Sequence, residues 1–594
     1  HSTCSSISWP SPGETNITKL IERVIGLSDF STHLMKSSIP HTSIERRVAK
    51  IWQEVLSISS VGIHEDFLSI GGDSLSAMRI AIRISEYFQI SVSVDELLRA
   101  STIASLAYRI EVTTNSRAYV SKDIELKSDT ATIDEEDIFL TRGQERIWAA
   151  ETIQQKHRND QIIPCAYLIE GEVDRERLEN AFLQLIQRHE ALRSLFVLES
   201  GERLVIRPCT QAFSLDYHDI DEFKTKESSD TQIERMAESF FSRRFDLSAD
   251  LMIRASLKRL SVGRFILLIA IHHFACDGWS LGLIQRDLSA FYNDPTQNNA
   301  VIGLSRAGRF SDYAKWVHEL EATPAYKGSL NYWLCQMKSS TKRGSEKTDY
   351  FADSRRHRKS CFQRFNMPVK IVSNIYRFAS EELTTPATVF LMAAQILMAV
   401  WNNQGDGVIA WPVANRNTVE QEETVGFLAN IVLMKLDMEW TSSYRDHLSK
   451  VHRSVLDAQR HLSASYTVVS RNLSSVENSS GTRLPFDMIV TWQNTLLHAL
   501  NFNRTNVRRI DSGWWPTPFD LMLDIEKRNH QISLLYRYNS SLFSLRDIQD
   551  LFDIYLLILR ILPIFPDASL STLRHLVGVR SSLNHENVDL KRSC

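Results

Sequence analysis

The run "FILLIAI" (Phe265–Ile271) holds seven apolar residues with no polar position among them. A strand with one wet face alternates; an unbroken apolar run of strand length is covered on both faces. The fold must therefore place apolar layers on either side of this strand. Flanking patterns supply them. Leu178, Phe182, Leu185, His189 and Leu192 line one face of a helix. "SLGLIQRDLSAFY" reads as a helix with Leu281, Ile284, Leu288 and Phe291 inward, and Thr385-Pro386 opens another that runs to about Trp401. "VIAWPV" (Val408–Val413) reads as a strand. Helices alternating with strands predict α/β layers.

With 594 residues, the chain exceeds what one core holds. Residues 1–40 are Ser/Thr/Pro-rich and read as a linker. Residues 41–110 read as a small helical domain opened by a Thr42/Glu45 capping box, with a second capping signal at Ser93/Glu96. Residues 111–137 have linker composition, residues 138–575 form a large region of two lobes, and residues 576–594 are a polar tail. The net charge of −3, with both signs interspersed, points to neither nucleic acid nor membrane surface. Seven scattered cysteines without a C-x-x-C predict reduced thiols and a cytoplasmic home.

Two sites carry candidate chemistry. In "GGDS", Gly71-Gly72 allows close approach, Asp73 is an acidic neighbour, and Ser74 stands at a predicted helix start, where backbone N–H groups favour a phosphate. The same letters also fit a plain turn and N-cap. The 70-residue helical unit between linkers suits a carrier rather than a catalyst. The second site is His272-His273, with Asp277 and Gly278 after it. One reading is a metal site with Asp277 as third ligand. Adjacent strand residues face opposite ways, which disfavours it, and no metal is assigned. Another pairs a histidine with Cys276 as nucleophile. A third puts one histidine in a cleft at the strand end as a proton acceptor and the other inward. Two satisfied core histidines are the fourth.

The chain resembles a thiolation (peptidyl carrier) domain followed by a condensation domain of a nonribosomal peptide synthetase. "DFLSIGGDSLSAMRI" (Asp66–Ile80) is similar to the phosphopantetheine attachment motif, with a fungal look in "GGDSLSAM". The condensation resemblance rests on "LTRGQERIWAAE" (Leu140–Glu151), "RHEALRSLF" (Arg188–Phe196), "HHFACDGWS" (His272–Ser280, the HHxxxDG signature), "FSDYAKW" (Phe310–Trp316), "PVANR" (Pro412–Arg416) and "VGFLANIVLMKLD" (Val425–Asp437). "RHLSASYTVV" departs from the family's late motif.

The resemblance implies a four-helix-bundle carrier and two chloramphenicol-acetyltransferase-like lobes in a V, divided at 138–310 and 311–575. It implies 4'-phosphopantetheine on Ser74, with Asp73 beside it. It makes His273 the working residue and Gly278 N–H an oxyanion donor. His272 and Asp277 become structural, with Arg193 or Arg416 as the partner of Asp277. Implied partners are upstream and downstream synthetase domains, an acceptor carrier, a phosphopantetheinyl transferase, and aminoacyl or peptidyl thioesters. The implied reaction is attack of an acceptor amine on the carrier-borne thioester. A macrocyclising or ester-forming terminal domain, an epimerisation domain and a non-catalytic docking scaffold are its rivals.

Overall fold

The computed structural model describes residues 39–576, except 57, 73, 91, 93, 118–139, 154–160, 200, 207–212, 220–228, 295–303, 338–359, 403–404, 477–485, 494–498, 511–518 and 529–530. Residues 1–38 of the linker expected at 1–40, Ser93 and the tail beyond 576 lie outside the described residues. Among the described residues the carrier unit has four helices: α1 (Ser43–Leu56), α2 (Ser74–Phe88), α3 (Val94–Arg99) and α4 (Ile103–Arg117). Thr42 and Glu45 form the expected reciprocal cap: Glu45 N donates to Thr42 Oγ1 at 3.0 Å and Thr42 N to Glu45 Oε2 at 2.9 Å. Trp52 and Phe67 meet edge to face at 5.2 Å in a core that includes Ile80, Ile84, Leu97 and Leu106. Helix α4 continues past 110, so the unit takes seven residues assigned above to the linker.

Helices α5 (Arg142–Ile153), α6 (Arg175–Arg188), α7 (Ser229–Phe241) and α8 (Gly278–Asn293) flank the first large sheet. Its strands are β1 (Ile162–Gly171), β4 (Asp216–Asp219), β5 (Ile253–Ser261), β6 (Arg264–His272) and β11 (Thr505–Ile510), in the order β11-β1-β6-β5-β4. A separate hairpin joins β2 (Ser194–Glu199) and β3 (Gly201–Ile206). The unbroken apolar run is the centre of β6. Phe265, Leu267, Ile269 and Ile271 pack with α6 and α8; Ile266, Leu268 and Ala270 pack with Ile233, Ala237 and Phe241 of α7. The two-faced burial holds although β6 pairs antiparallel with both neighbours.

The second sheet has the order β7-β13-β12-β10-β8-β9. Its strands are β7 (Ser360–Asn366), β8 (Asp406–Val413), β9 (Asn430–Asp437), β10 (Met488–Gln493), β12 (Leu521–Arg528) and β13 (Gln531–Asn539). Around it lie α10 (Pro324–Met337), α11 (Val369–Glu381), α12 (Pro386–Trp401), α14 (Tyr444–Arg460), α15 (Tyr466–Val476) and α16 (Leu545–Ile561), while α9 (Phe310–Glu321) and the short α13 (Val419–Glu422) lie against the first lobe. Helix α12 begins where Thr385-Pro386 predicts, with Thr385 accepting from Thr388 N. It is the central core helix of this lobe, and no single described helix is long and apolar enough to cross a membrane.

The division at residue 310 needs correction. Strand β11 leaves the second lobe and pairs antiparallel with β1, from Ala166↔Ile510 to Gly171↔Thr505. Phe310, Tyr313, Val425, Leu428, Leu500 and Phe502 are also buried in the first lobe's core. The later part of the chain gives a strand and several core residues over to the first lobe, so no single cut separates the lobes.

Candidate active site

His272 closes β6, and His273 opens a one-turn 3-10 helix through Ala275. Their different environments thus come from the change of backbone between them, not from strand alternation. His272 is 1% exposed and its Nδ1 accepts from Phe274 N at 3.1 Å. Its Nε2 lies 3.6 Å from Glu151 Oε1. His273 is half-buried, its ring edge-on to Phe427 at 6.1 Å. His273 Nδ1 lies 3.1 Å from Cys276 O. A carbonyl only accepts, so Nδ1 carries the hydrogen and Nε2 keeps its lone pair. Burial is the chief cause that pulls the His273 imidazole down to about 4. His272 and Arg146 push the same way, against the Cys276 bond and the Asp277 charge. The ring is neutral at pH 7, the form a proton acceptor needs.

Cys276 is fully buried, and burial pushes its thiol well above the ordinary range. It donates to Asp277 O at 3.3 Å. A thiol kept protonated this way is not a nucleophile.

Asp277 caps α8 and ties this turn to the crossing segment 414–429. Its Oδ1 accepts from Ser280 N at 2.9 Å, Ser280 Oγ at 2.8 Å and Arg416 Nη2 at 3.0 Å. Its Oδ2 accepts from Arg416 Nη1 at 2.9 Å, Leu428 N at 3.1 Å and Ala429 N at 3.0 Å. Burial alone raises such a carboxyl, but the Arg416 guanidinium and the Ser280 bonds outweigh it and hold Asp277 below its ordinary value. Of the two expected arginines, Arg416 is the partner, at 0% exposure. Arg193 is not. It folds back on the end of α6, donating to Ile186 O at 3.2 Å and Gln187 O at 3.4 Å.

Removing one member of a buried, hydrogen-bonded ion pair costs about 3–5 kcal/mol, because the other charge stays desolvated. Asp277→Ala should therefore lower the melting temperature of the catalytic unit by several degrees and loosen the His273 turn. An unchanged melting curve would remove Asp277 from this structural role.

Gly278, the first residue of α8, is exposed, and an added Cβ there would meet nothing within 4 Å. Its N–H belongs to the first helical turn, whose donors have no intrahelical acceptor. Two residues not singled out from the sequence complete the surroundings. Gln144 Nε2 donates to Phe274 O at 3.1 Å and pins the turn to α5. The Arg146 guanidinium stands 5.9 Å from the Phe427 ring and has no ion pair among the described residues. Both sit inside "LTRGQERIWAAE"; the Thr141-x-x-Gln144 spacing marks Gln144 as a capping residue, and no local spacing marks Arg146. His189 of "RHEALRSLF" is structural: its Nε2 lies 2.9 Å from Asp287 Oδ2 and joins α6 to α8.

At the carrier, Ser74 is the first residue of α2, while Asp73 lies outside the described residues. Gly71 has φ +102°, and a Cβ on Gly72 would stand 2.5 Å from both Phe67 Cζ and Phe67 O. Only glycine permits this close pass, which delivers Ser74 to the helix N-terminus. The carrier rests against both lobes. Arg83 Nη2 pairs with Glu422 Oε2 at 2.9 Å, Ser380 Oγ donates to Asp66 Oδ1 at 3.4 Å, and Lys527 Nζ to Gly71 O at 3.5 Å.

Residues 134–576 match the family described as "Condensation domain", and residues 46–110 match "Phosphopantetheine attachment site". Gramicidin S synthase 2 of Brevibacillus brevis is 26% identical over 90% of this chain, and tyrocidine synthase 2 of Brevibacillus parabrevis is 25% identical over 86%. The chain spans 12% and 14% of these relatives' lengths. Among solved structures, the X-domain from teicoplanin biosynthesis superposes with a TM-score of 0.63 at 17% identity, covering 74% of this chain and 98% of that one. The first condensation domain of the calcium-dependent antibiotic synthetase gives 0.61 at 16%, covering 73% and 98%. At these identities the superpositions establish the fold.

Proposed function

The chain belongs to the condensation-domain family and carries a phosphopantetheine attachment unit ahead of that domain; from this premise we propose that it joins an acceptor amine to an acyl group delivered by its own carrier. The geometry at Ser74 fits the group: a helix N-terminus for the phosphate, reached through Gly71 at positive φ and Gly72 with no room for a side chain. Phosphopantetheine there would supply a long tether ending in a thiol that holds the acyl group as a thioester.

The chain's residues then divide the work. His273 Nε2 accepts a proton from the attacking amine, or holds that amine in line through the same hydrogen bond. Attack by the amine nitrogen on the acyl carbon would displace the tether's thiol, the amine's proton ending on that leaving group. Gly278 N–H and the α8 N-terminus face negative charge as it develops on the carbonyl oxygen. Asp277, Arg416, Gln144 and His272 hold the turn still. Bringing the carrier and the catalytic turn together in one chain removes much of the entropy of encounter. The acceptor arrives on a separate carrier, and neighbouring synthetase domains and a phosphopantetheinyl transferase complete the set of partners. In reaction class this is acyl transfer to nitrogen.

The observation that carries this reading is the His273 ring, with Nδ1 on Cys276 O and Nε2 without a hydrogen-bond partner among the described residues, in a turn fixed by a buried ion pair. The test loads the carrier with an aminoacyl group in deuterated solvent. We expect an amide when an acceptor amine is added, and no α-carbon deuterium without it. Extensive deuterium uptake without acceptor would overturn condensation in favour of epimerisation.

A further inference from the structure

Trp279 lies two residues after Asp277 and touches both the carrier and the ion pair. Its Nε1 donates to Glu422 O at 2.8 Å. The guanidinium of Arg416 lies 5.4 Å from its ring centroid, and so does that of Arg79 from the carrier. Both separations are within cation–π range. Arg79, Arg83 and Glu86 fall at i, i+4 and i+7 of α2 and so form one stripe. Every member of the stripe reaches the 419–422 turn. Arg79 Nε is 3.5 Å and Arg83 Nη2 2.9 Å from Glu422 Oε2, and Glu86 Oε1 accepts from Val419 N at 3.2 Å. Arg79 lies five residues into the helix that Ser74 opens, about 7.5 Å along its axis. The stripe therefore sets where Ser74 stands relative to the catalytic turn.

The contact is also incompletely satisfied. Glu422 is 2% exposed, yet among the described residues its Oε1 has no partner, and neither has Arg83 Nη1. Burial raises the Glu422 carboxyl in spite of both arginines and lowers Arg79 in spite of Glu422. Desolvated charges with orphan atoms repay little of their dehydration cost. Such a contact gives register without holding tightly, as a carrier that must leave after each transfer requires.

We propose that Arg79 and Arg83 of the carrier, seated on Glu422 and Trp279, form a positioning site that aligns Ser74 with the His273 turn. This rests on the carrier being the donor. Trp279 is the coupling element. Arg79 and Arg416 stand at the same distance from its ring, so the seated carrier and the Asp277–Arg416 pair share one aromatic side chain. These are positioning residues; none touches the reacting atoms.

The test uses the full chain with Ser74 phosphopantetheinylated and acylated, and an aminoacyl-N-acetylcysteamine thioester as acceptor. Glu422→Arg is expected to slow transfer about tenfold or more, the usual cost of leaving a buried charge pair mismatched. The triple variant Arg79→Glu, Arg83→Glu, Glu422→Arg is expected to recover most of that loss. When the donor acyl group is instead a soluble N-acetylcysteamine thioester, Glu422→Arg is expected to match the unaltered chain, because no carrier needs seating. Equal slowing with tethered and soluble donors would overturn the proposal, since a general structural defect acts on both. So would a triple variant as slow as the single one. Amide hydrogen exchange reads the contact without chemistry. Glu422→Arg should speed exchange in α2 and in 418–423, and the triple variant should slow it again. If that reciprocal pattern is present while the unaltered chain forms no amide, the seat stands and the condensation reading falls.

Discussion

Ser74→Ala is expected to bring carrier-borne transfer to zero while leaving the fold intact. The argument is one of connectivity. The tether needs a hydroxyl at the mouth of α2, and alanine has none. Neighbouring serines do not substitute. Ser76 is buried inside the helix, and Ser69 Oγ is bonded to Asp66 O at 2.8 Å in the preceding turn. Alanine is the strongest helix former, so the helix start survives. Intact-mass measurement with coenzyme A and a phosphopantetheinyl transferase checks it: the unaltered chain gains one phosphopantetheine, and the variant gains nothing. A variant that still gains that mass would end the assignment of Ser74.

The second large effect is expected from His273→Ala. Loss of a positioned proton acceptor slows transfer about 10²–10⁴-fold. The domain should fold, because His273 gives up only its bond to Cys276 O and an edge contact with Phe427. A folded variant with unaltered rates would take His273 out of the chemistry. The pH dependence adds a signature. An ordinary histidine protonates near 6.5, whereas His273 is held down to about 4. The transfer step should therefore survive acidification through 6.5 and fail only on approach to 4. Stability is lost over that same window, earlier than the transfer step. The unfolded chain binds this proton first, so the contribution is complete above about 6.5 and is lost progressively as the pH falls toward 4.

Local rules made parts of the fold legible. Thr385-Pro386 marked a helix start because a capping hydroxyl and a proline at the first turn are both specific to that position. The unbroken Phe265–Ile271 run identified a strand covered on both faces, though it pairs antiparallel with both of its neighbours. The choice between Arg193 and Arg416 could not be made from spacing, because it depends on segment 414–429 folding back across the first lobe. A second, later return hid β11, whose "TNVRRI" is too polar to advertise a place beside β1. Trp279 and Glu422 lay within or next to recognised motifs, but their meaning depends on where the carrier rests, which no local pattern encodes. The contrast between His272 and His273 was anticipated for the wrong reason: a strand ends between them.

The exchanged strand also sets a timetable for synthesis. Until Thr505–Ile510 arrives, the outer edge of β1 presents unpaired backbone groups, an open template for pairing with another chain. Translation from Gly171 to Ile510 takes roughly 20–70 s at ordinary elongation rates. Throughout that interval the nascent first lobe is an unfinished sheet, and the ribosome-bound chain is at its most vulnerable to misassembly.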